Sequence, residues 1–174
     1  MRAQIEPDFE TAREKYGEIL KQILAYTAYC DDNGDPDGAK YRELEATLHE
    51  ITGKDMSKFD LWEWWEADDA ENLAFDIALP EPQLVLDITK DELREIVERM
   101  STFEPRKFDD DFLDAFYYRP NFTADGGYFT EFLKLNFKDT YDPRLFERCE
   151  QNGEITELGA DEITQILWGE RGDR

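Results

Sequence analysis

Apolar residues recur at steps of three and four along residues 9–29, where Ala12, Tyr16, Ile19, Leu20, Ile23, Leu24 and Thr27 place one stripe on a helix. Pro7 and Asp8 supply its start signal. The run Asp31-Asp32-Asn33-Gly34-Asp35-Pro36-Asp37-Gly38 is dense in turn formers, so the helix is predicted to end before it. Tyr41, Leu44, Leu48 and Ile51 then repeat at three, four and three, which predicts a second helix over 39–51 with Gly53 as its stop. The two read as a helical hairpin.

Leu73, Phe75, Ile77 and Leu79 alternate as in a strand, but the surrounding Ala and Glu suit a helix, and the helical reading is preferred. Pro80 and Pro82 close that stretch. They mark the point at which the expected single domain, 1–174, would divide into sub-lobes 1–79 and 83–174. Gln83-Leu84-Val85-Leu86-Asp87 reads as a short extended segment. Thr89-Lys90-Asp91-Glu92 matches a capping box, in which the hydroxyl caps the helix start and the Glu reaches back to the cap amide. Leu93, Ile96, Val97 and Met100 form the inward face of the helix that follows.

A further helix is predicted over 109–118, with Phe112, Leu113, Phe116 and Tyr117 inward and Asp109-Asp110-Asp111 at its positive end. Residues 128–137 are amphipathic, Asp142-Pro143 opens a short helix predicted to run through Cys149, and residues 161–168 form a last helix with Ile163, Ile166 and Leu167 inward. Asp125-Gly126-Gly127 and Asn152-Gly153 read as turns. The expected fold is mainly α, a helical hairpin at the N-terminus followed by a helical body, with α+β and a minor short-stranded sheet as the secondary option. No fixed repeat period or low-complexity tract runs through the chain.

Composition adds a partner class to this picture. Among 174 residues, 43 Asp and Glu face 20 Lys and Arg, a formal net charge of −23. Aromatic residues make up 14%, which argues for a packed core and against acidic disorder. The field of such a chain opposes contact with nucleic acid phosphates and anionic lipid, and it accelerates encounter with a basic partner by about ten- to a thousand-fold. No apolar run approaches the roughly 20 residues of a membrane-spanning helix, and residues 1–8 lack the features of a secretory signal, so a soluble cytoplasmic protein is expected. Cys30 and Cys149 make neither a close pair nor a framework, and both are expected to be reduced and structural.

Chemistry-bearing motifs are sparse. Asp31, Asn33 and Asp35 match the first three ligand positions of a calcium-binding EF-hand loop, but Pro36 stands where glycine permits the turn and Arg42 where a bidentate Glu closes the cage. They are weak calcium candidates against the plainer reading of a solvated acidic turn. His49, the one histidine, would need Cys30 beside it to form a nucleophilic pair, and neither residue sits in a signature that predicts one. There is no Gly-rich phosphate loop, no nucleophile elbow and no zinc-protease motif. An enzyme is therefore not the expected reading, and no cofactor is implied.

The most unusual local feature is Trp62-Glu63-Trp64-Trp65-Glu66 with Asp68 and Asp69 beside it. On a helix, Leu61, Trp62 and Trp65 would share a face while Trp64 points toward the other side, so at least one indole is a contact candidate. Acids around an aromatic suit a Lys- or Arg-rich partner. Tyr117 and Tyr118 belong to a second mixed patch, Phe116-Tyr117-Tyr118 to Phe122, and each patch reads equally as an aromatic wedge between lobes. The expected function is neutralisation or sequestration of a basic partner, most concretely by a bacterial immunity- or antitoxin-like inhibitor of a nuclease toxin, or by a nucleic-acid mimic. The expected contact set is Trp62, Glu63, Trp64, Trp65, Glu66, Asp68, Asp69, Tyr117 and Tyr118. A small-ligand or calcium-responsive module, and a helical domain whose acidity is environmental, are the competing readings.

Overall fold

Asp8 opens the first helix, α1 (Phe9–Asn33), in the computed structural model, which describes residues 1–62, 69–122, 127–151 and 154–169. Its carboxylate accepts the Thr11 N–H at 3.0 Å and the Thr11 hydroxyl at 2.7 Å, filling orphan donors of the first turn. Ala12, Ile19, Ile23 and Tyr26 are buried along α1, whereas Leu24, expected in the stripe, is 46% exposed. Leu24 lies one residue, about 100°, past Ile23, and the inward face continues through Tyr26 instead. The helix also runs past its expected end through Asp31, Asp32 and Asn33. Asp and Asn cost a helix only a few tenths of a kcal/mol each, about 0.7 at most. Gly34 is what terminates it, at φ 66°, donating its N–H to the Cys30 carbonyl at 2.8 Å.

The second helix, α2 (Ala39–Thr52), buries Leu44 and Leu48 and stops at Gly53, as its spacing predicts. A single 3-10 turn (Met56–Lys58) follows, and then α3 (Ala70–Ala78), whose Asp69 cap accepts the Asn72 N–H at 2.7 Å. Leu73, Phe75 and Ile77 are buried along with Ala70, Ala74 and Ala78. A helix buried on several sides produces the strand-like alternation of its large residues. α3 packs against α1, where the Phe75 and Phe9 rings stack at 6.0 Å. These elements form one compact unit, Asp8–Pro80, the hairpin unit.

The other compact unit is split in sequence, Met1–Pro7 with Glu81–Arg174. Thr89 caps α4 (Lys90–Ser101) with the complete capping box: the Thr89 hydroxyl accepts the Glu92 N–H, and the Glu92 carboxylate accepts the Thr89 N–H at 2.9 Å. Leu93, Ile96 and Val97 point into a core with Ile5, Phe129, Phe132, Leu133, Phe137, Ile163, Leu167 and Trp168. The segment before Asp8 is held by Arg2 on the Asp87 carboxylate and by Glu6 on Arg99 at 2.8 Å.

Within the split unit the 109–118 helix is shorter than expected. α5 (Asp111–Phe116) gives way to a turn and to a 3-10 segment (Arg119–Asn121) that contains Pro120. α6 (Tyr128–Asn136) starts beyond Gly127, where any Cβ would collide with the Phe122 carbonyl oxygen. Gln83-Leu84-Val85-Leu86-Asp87 is not a strand: Asn136 holds it as a loop, accepting the Val85 N–H at 2.7 Å and donating to the Gln83 carbonyl at 3.1 Å.

The helix expected from Pro143 through Cys149 is only a 3-10 turn (Pro143–Phe146). Beyond Phe146 no apolar period sustains it, and the chain enters β1 (Cys149–Gln151), which pairs antiparallel with β2 (Glu154–Thr156) in the register Gln151 to Glu154. α7 (Ala160–Trp168) buries Ile163 and Leu167 but leaves Ile166 44% exposed, against expectation, because α4 covers only one face of α7. The chain is mainly helical. The Asn152-Gly153 turn and Asp125-Gly126 of the other predicted turn lie outside the described residues.

Candidate partner-binding surface

The turn between α1 and α2 is organised by Asp35. Its carboxylate accepts the Tyr41 N–H at 2.8 Å and the Lys40 N–H at 3.2 Å, so it caps α2 in place of the side chain that Gly38 lacks. Asp31 and Asn33, the other two calcium candidates, sit on the last turn of α1, and the Asn33 amide donates to the Tyr29 carbonyl. Among the described residues no three His, Cys, Asp or Glu gather to hold a metal ion. Two of the calcium-loop ligand positions are thus helical, and the carboxylate at the third accepts backbone donors.

Burial works upward on the Asp35 carboxyl, but the backbone N–H groups of Tyr41, Lys40 and Ala39 and the nearby Arg42 outweigh it, and its pKa lies below the ordinary value. A pKa depressed by folding adds stability above the unfolded value, about 3.9, that is lost as pH falls through the folded one. Asp35→Ala is thus expected to lower the melting temperature at neutral pH, and its difference from wild type should shrink steadily in thermal melts taken below about pH 4.

Above this turn three aromatic rings meet. Tyr26 of α1, Tyr41 of α2 and Trp62 have centroids 6.1, 6.3 and 6.4 Å apart, tilted by 57° to 68° to one another. Tyr26 is 8% exposed, Tyr41 is half-buried and Trp62 is 42% exposed, so the group grades from core to surface. Trp62 follows the buried Leu61 outside any helix, and its N–H is held by the Asp60 carboxylate at 3.1 Å. Burial pushes the Tyr26 phenol well above its usual pKa, with the Cys30 thiol, Asp35 and Tyr41 adding to the effect. Burial likewise raises Tyr41, with Glu45 and Asp60 contributing. Both phenols are protonated at neutral pH and both lie in a negative field.

Of the residues expected to contact a partner, Trp62 and Asp69 are exposed on the hairpin unit; Glu63, Trp64, Trp65, Glu66 and Asp68 lie outside the described residues. Tyr117 and Tyr118 belong to the split unit and are engaged by the segment after α4. The Tyr118 hydroxyl accepts the Arg106 N–H and donates to the Glu104 carbonyl, its ring lies 4.6 Å from Phe103, and Tyr117 lies 4.7 Å from Phe108. These two tyrosines fasten a loop.

His49 is exposed and its Nδ1 lies 2.7 Å from the Lys54 carbonyl. A carbonyl can only accept, so Nδ1 carries the proton. Cys30 is a free thiol, half-buried on α1 beside Tyr26. Tyr26 and Tyr41 were missed as site residues by sequence reasoning, although both belong to periodic helices, since nothing local shows that their faces converge on Trp62. No helix among the described residues is long and apolar enough to cross a membrane. No protein-family model, curated protein or solved structure matches this chain.

Proposed function

We propose that this chain is an acidic binding protein that neutralises or sequesters a basic protein partner. Its most concrete form is a bacterial immunity- or antitoxin-like inhibitor that covers the cationic groove of a nuclease toxin, and a nucleic-acid mimic is the same physics applied to a DNA-binding protein. The observation that carries the reading is the net charge of −23 on a folded chain rich in aromatics. On the hairpin unit Asp31, Asp32, Asp37, Asp55, Asp60 and Asp69 are all exposed. Carboxylates held at a folded surface are already ordered, so a cationic groove meets them without the entropy cost of ordering a disordered acidic tail.

Affinity capture with the full chain as bait, followed by a titration of the captured protein, tests the proposal. A single basic protein should be retained at about 0.1 M salt and weakened at about 1 M, where charge contacts are screened. Combined reversal of Glu63, Glu66 and Asp68 to Lys, with Asp69→Asn so that the α3 cap is kept, should reduce affinity for that protein about tenfold or more. Affinity that is unchanged by both salt and reversal would overturn the reading.

A further inference from the structure

We infer that residues 84–86 form an open backbone edge that pairs with an extended segment of the basic partner. The inference rests on the proposed basic partner and names the element on which it docks. The Asn136 amide accepts the Val85 N–H at 2.7 Å and donates to the Gln83 carbonyl at 3.1 Å, the two contacts that a parallel neighbouring strand makes across one residue. One planar amide meets both groups where they point the same way, as they do across an extended Leu84. Successive N–H groups of an extended chain point to opposite sides, so the N–H groups of Leu84 and Leu86 and the Leu84 carbonyl face away from Asn136. Neither leucine makes a hydrogen bond among the described residues. One side of the segment is thus pinned by a side chain, and the other presents the unpaired groups of a strand edge.

The side chains follow the same alternation. Val85 packs against the core of the split unit, whereas Leu84 is 61% and Leu86 87% exposed. Side chains two apart share a face of an extended chain, so the two leucines stand together opposite Val85, where alternate residues of an added strand lie directly beside them. Charge selects the occupant. A second copy would bring another net charge of −23 to this edge, and repulsion of that size keeps chains apart. Glu81 is exposed at the start of the segment, so a strand of the basic partner, with apolar residues beside the leucines and Lys or Arg between them, fits both its chemistry and its charge. Pro82, which has no N–H, ends the edge on that side.

The test is NMR shift mapping and amide hydrogen exchange on the full chain, with acetyl-Lys-Val-Lys-Val-Lys-amide as probe. The same peptide N-methylated at both valines lacks the donors that face the edge, and acetyl-Glu-Val-Glu-Val-Glu-amide reverses its charge. The lysine peptide should slow exchange at the Leu84 and Leu86 amides, and both counterparts should bind about tenfold more weakly or worse, the worth of one or two backbone hydrogen bonds. Leu86→Pro removes an outward N–H, keeps the Asn136 contacts and should weaken the lysine peptide and the captured basic protein about tenfold, with folding checked by circular dichroism. Leu84→Ser with Leu86→Ser, at two exposed positions, should weaken both while keeping every backbone group. No binding of the lysine peptide, equal binding of either counterpart, or wild-type affinity in folded forms of both variants would each overturn the edge. A dimer in sedimentation that is lost in Leu86→Pro would overturn it in favour of a second copy. Capture that keeps its affinity and its salt and charge-reversal dependence in Leu86→Pro would remove the edge and leave the basic-partner reading standing. Capture indifferent to salt and reversal would remove that reading, while protection of Leu84 and Leu86 by the lysine peptide would stand.

Discussion

Phe75→Ala is expected to destabilise the protein by about 3–5 kcal/mol, the cost of removing a fully buried aromatic ring and leaving a cavity behind. Phe75 sits in the middle of α3, which is buried on several sides, and its ring stacks on Phe9 at the start of α1. The neighbours cannot easily collapse into the void, because the adjoining positions Ala74 and Ala78 are small and already closely packed. Urea unfolding should show a lower midpoint with little change in slope, and a loss below about 1 kcal/mol would mean that α3 is not the centre of the hairpin unit.

Asn136→Leu is the second large effect, expected at about 2–4 kcal/mol although it inserts an apolar residue of similar volume into a buried site. Asn136 is 5% exposed, and its amide joins three backbone groups: it accepts from Val85 N–H and donates to the carbonyls of Gln83 and Phe132. Leucine leaves the Val85 N–H and the Gln83 carbonyl without their partner, and the loop before α4 loses its anchor on α6. Hydrogen exchange should rise at the Val85 amide before it rises in α4. A stability equal to wild type would show that water replaces the side chain.

Local signals in the sequence translated well into structure. The Thr89 to Glu92 box and the Gly53 stop are built from residues within one helical turn of each other, so neighbouring atoms decide them. The end of α1 was less legible because a cluster of turn formers is only a summed tendency, whereas a single residue with a left-handed backbone, Gly34, sets the boundary. The helix expected from Pro143 to Cys149 failed for the opposite reason: its start signal was real, but strand pairing with Glu154–Thr156 took the residues that followed.

Least legible was anything assembled across helices. Leu24 and Tyr26 both fit a helical stripe within its width, and only contact with α2 decides that Tyr26 turns inward. The unusual tryptophans drew attention to Trp62, but its neighbours in space are tyrosines from two other elements. Asn136 gave no signal at all, since one amide in an amphipathic stretch looks like a surface position.

The return of Met1–Pro7 to the unit built from Glu81 onward has a consequence for how the chain matures as it is made. Residues 8–80 are contiguous, so their contacts can close as soon as they leave the ribosome, and N-terminal units commonly fold first. Ile5, by contrast, belongs to a core whose other members begin at Ile88 and extend to Trp168. Ile5 must therefore wait in water until the segment from Ile88 to Trp168 has emerged. Contacts of such long sequence separation form late and slowly. Residues 1–7 thus act as a closing strap on the nascent chain, and the second unit gains its full core only once Trp168 is available to it.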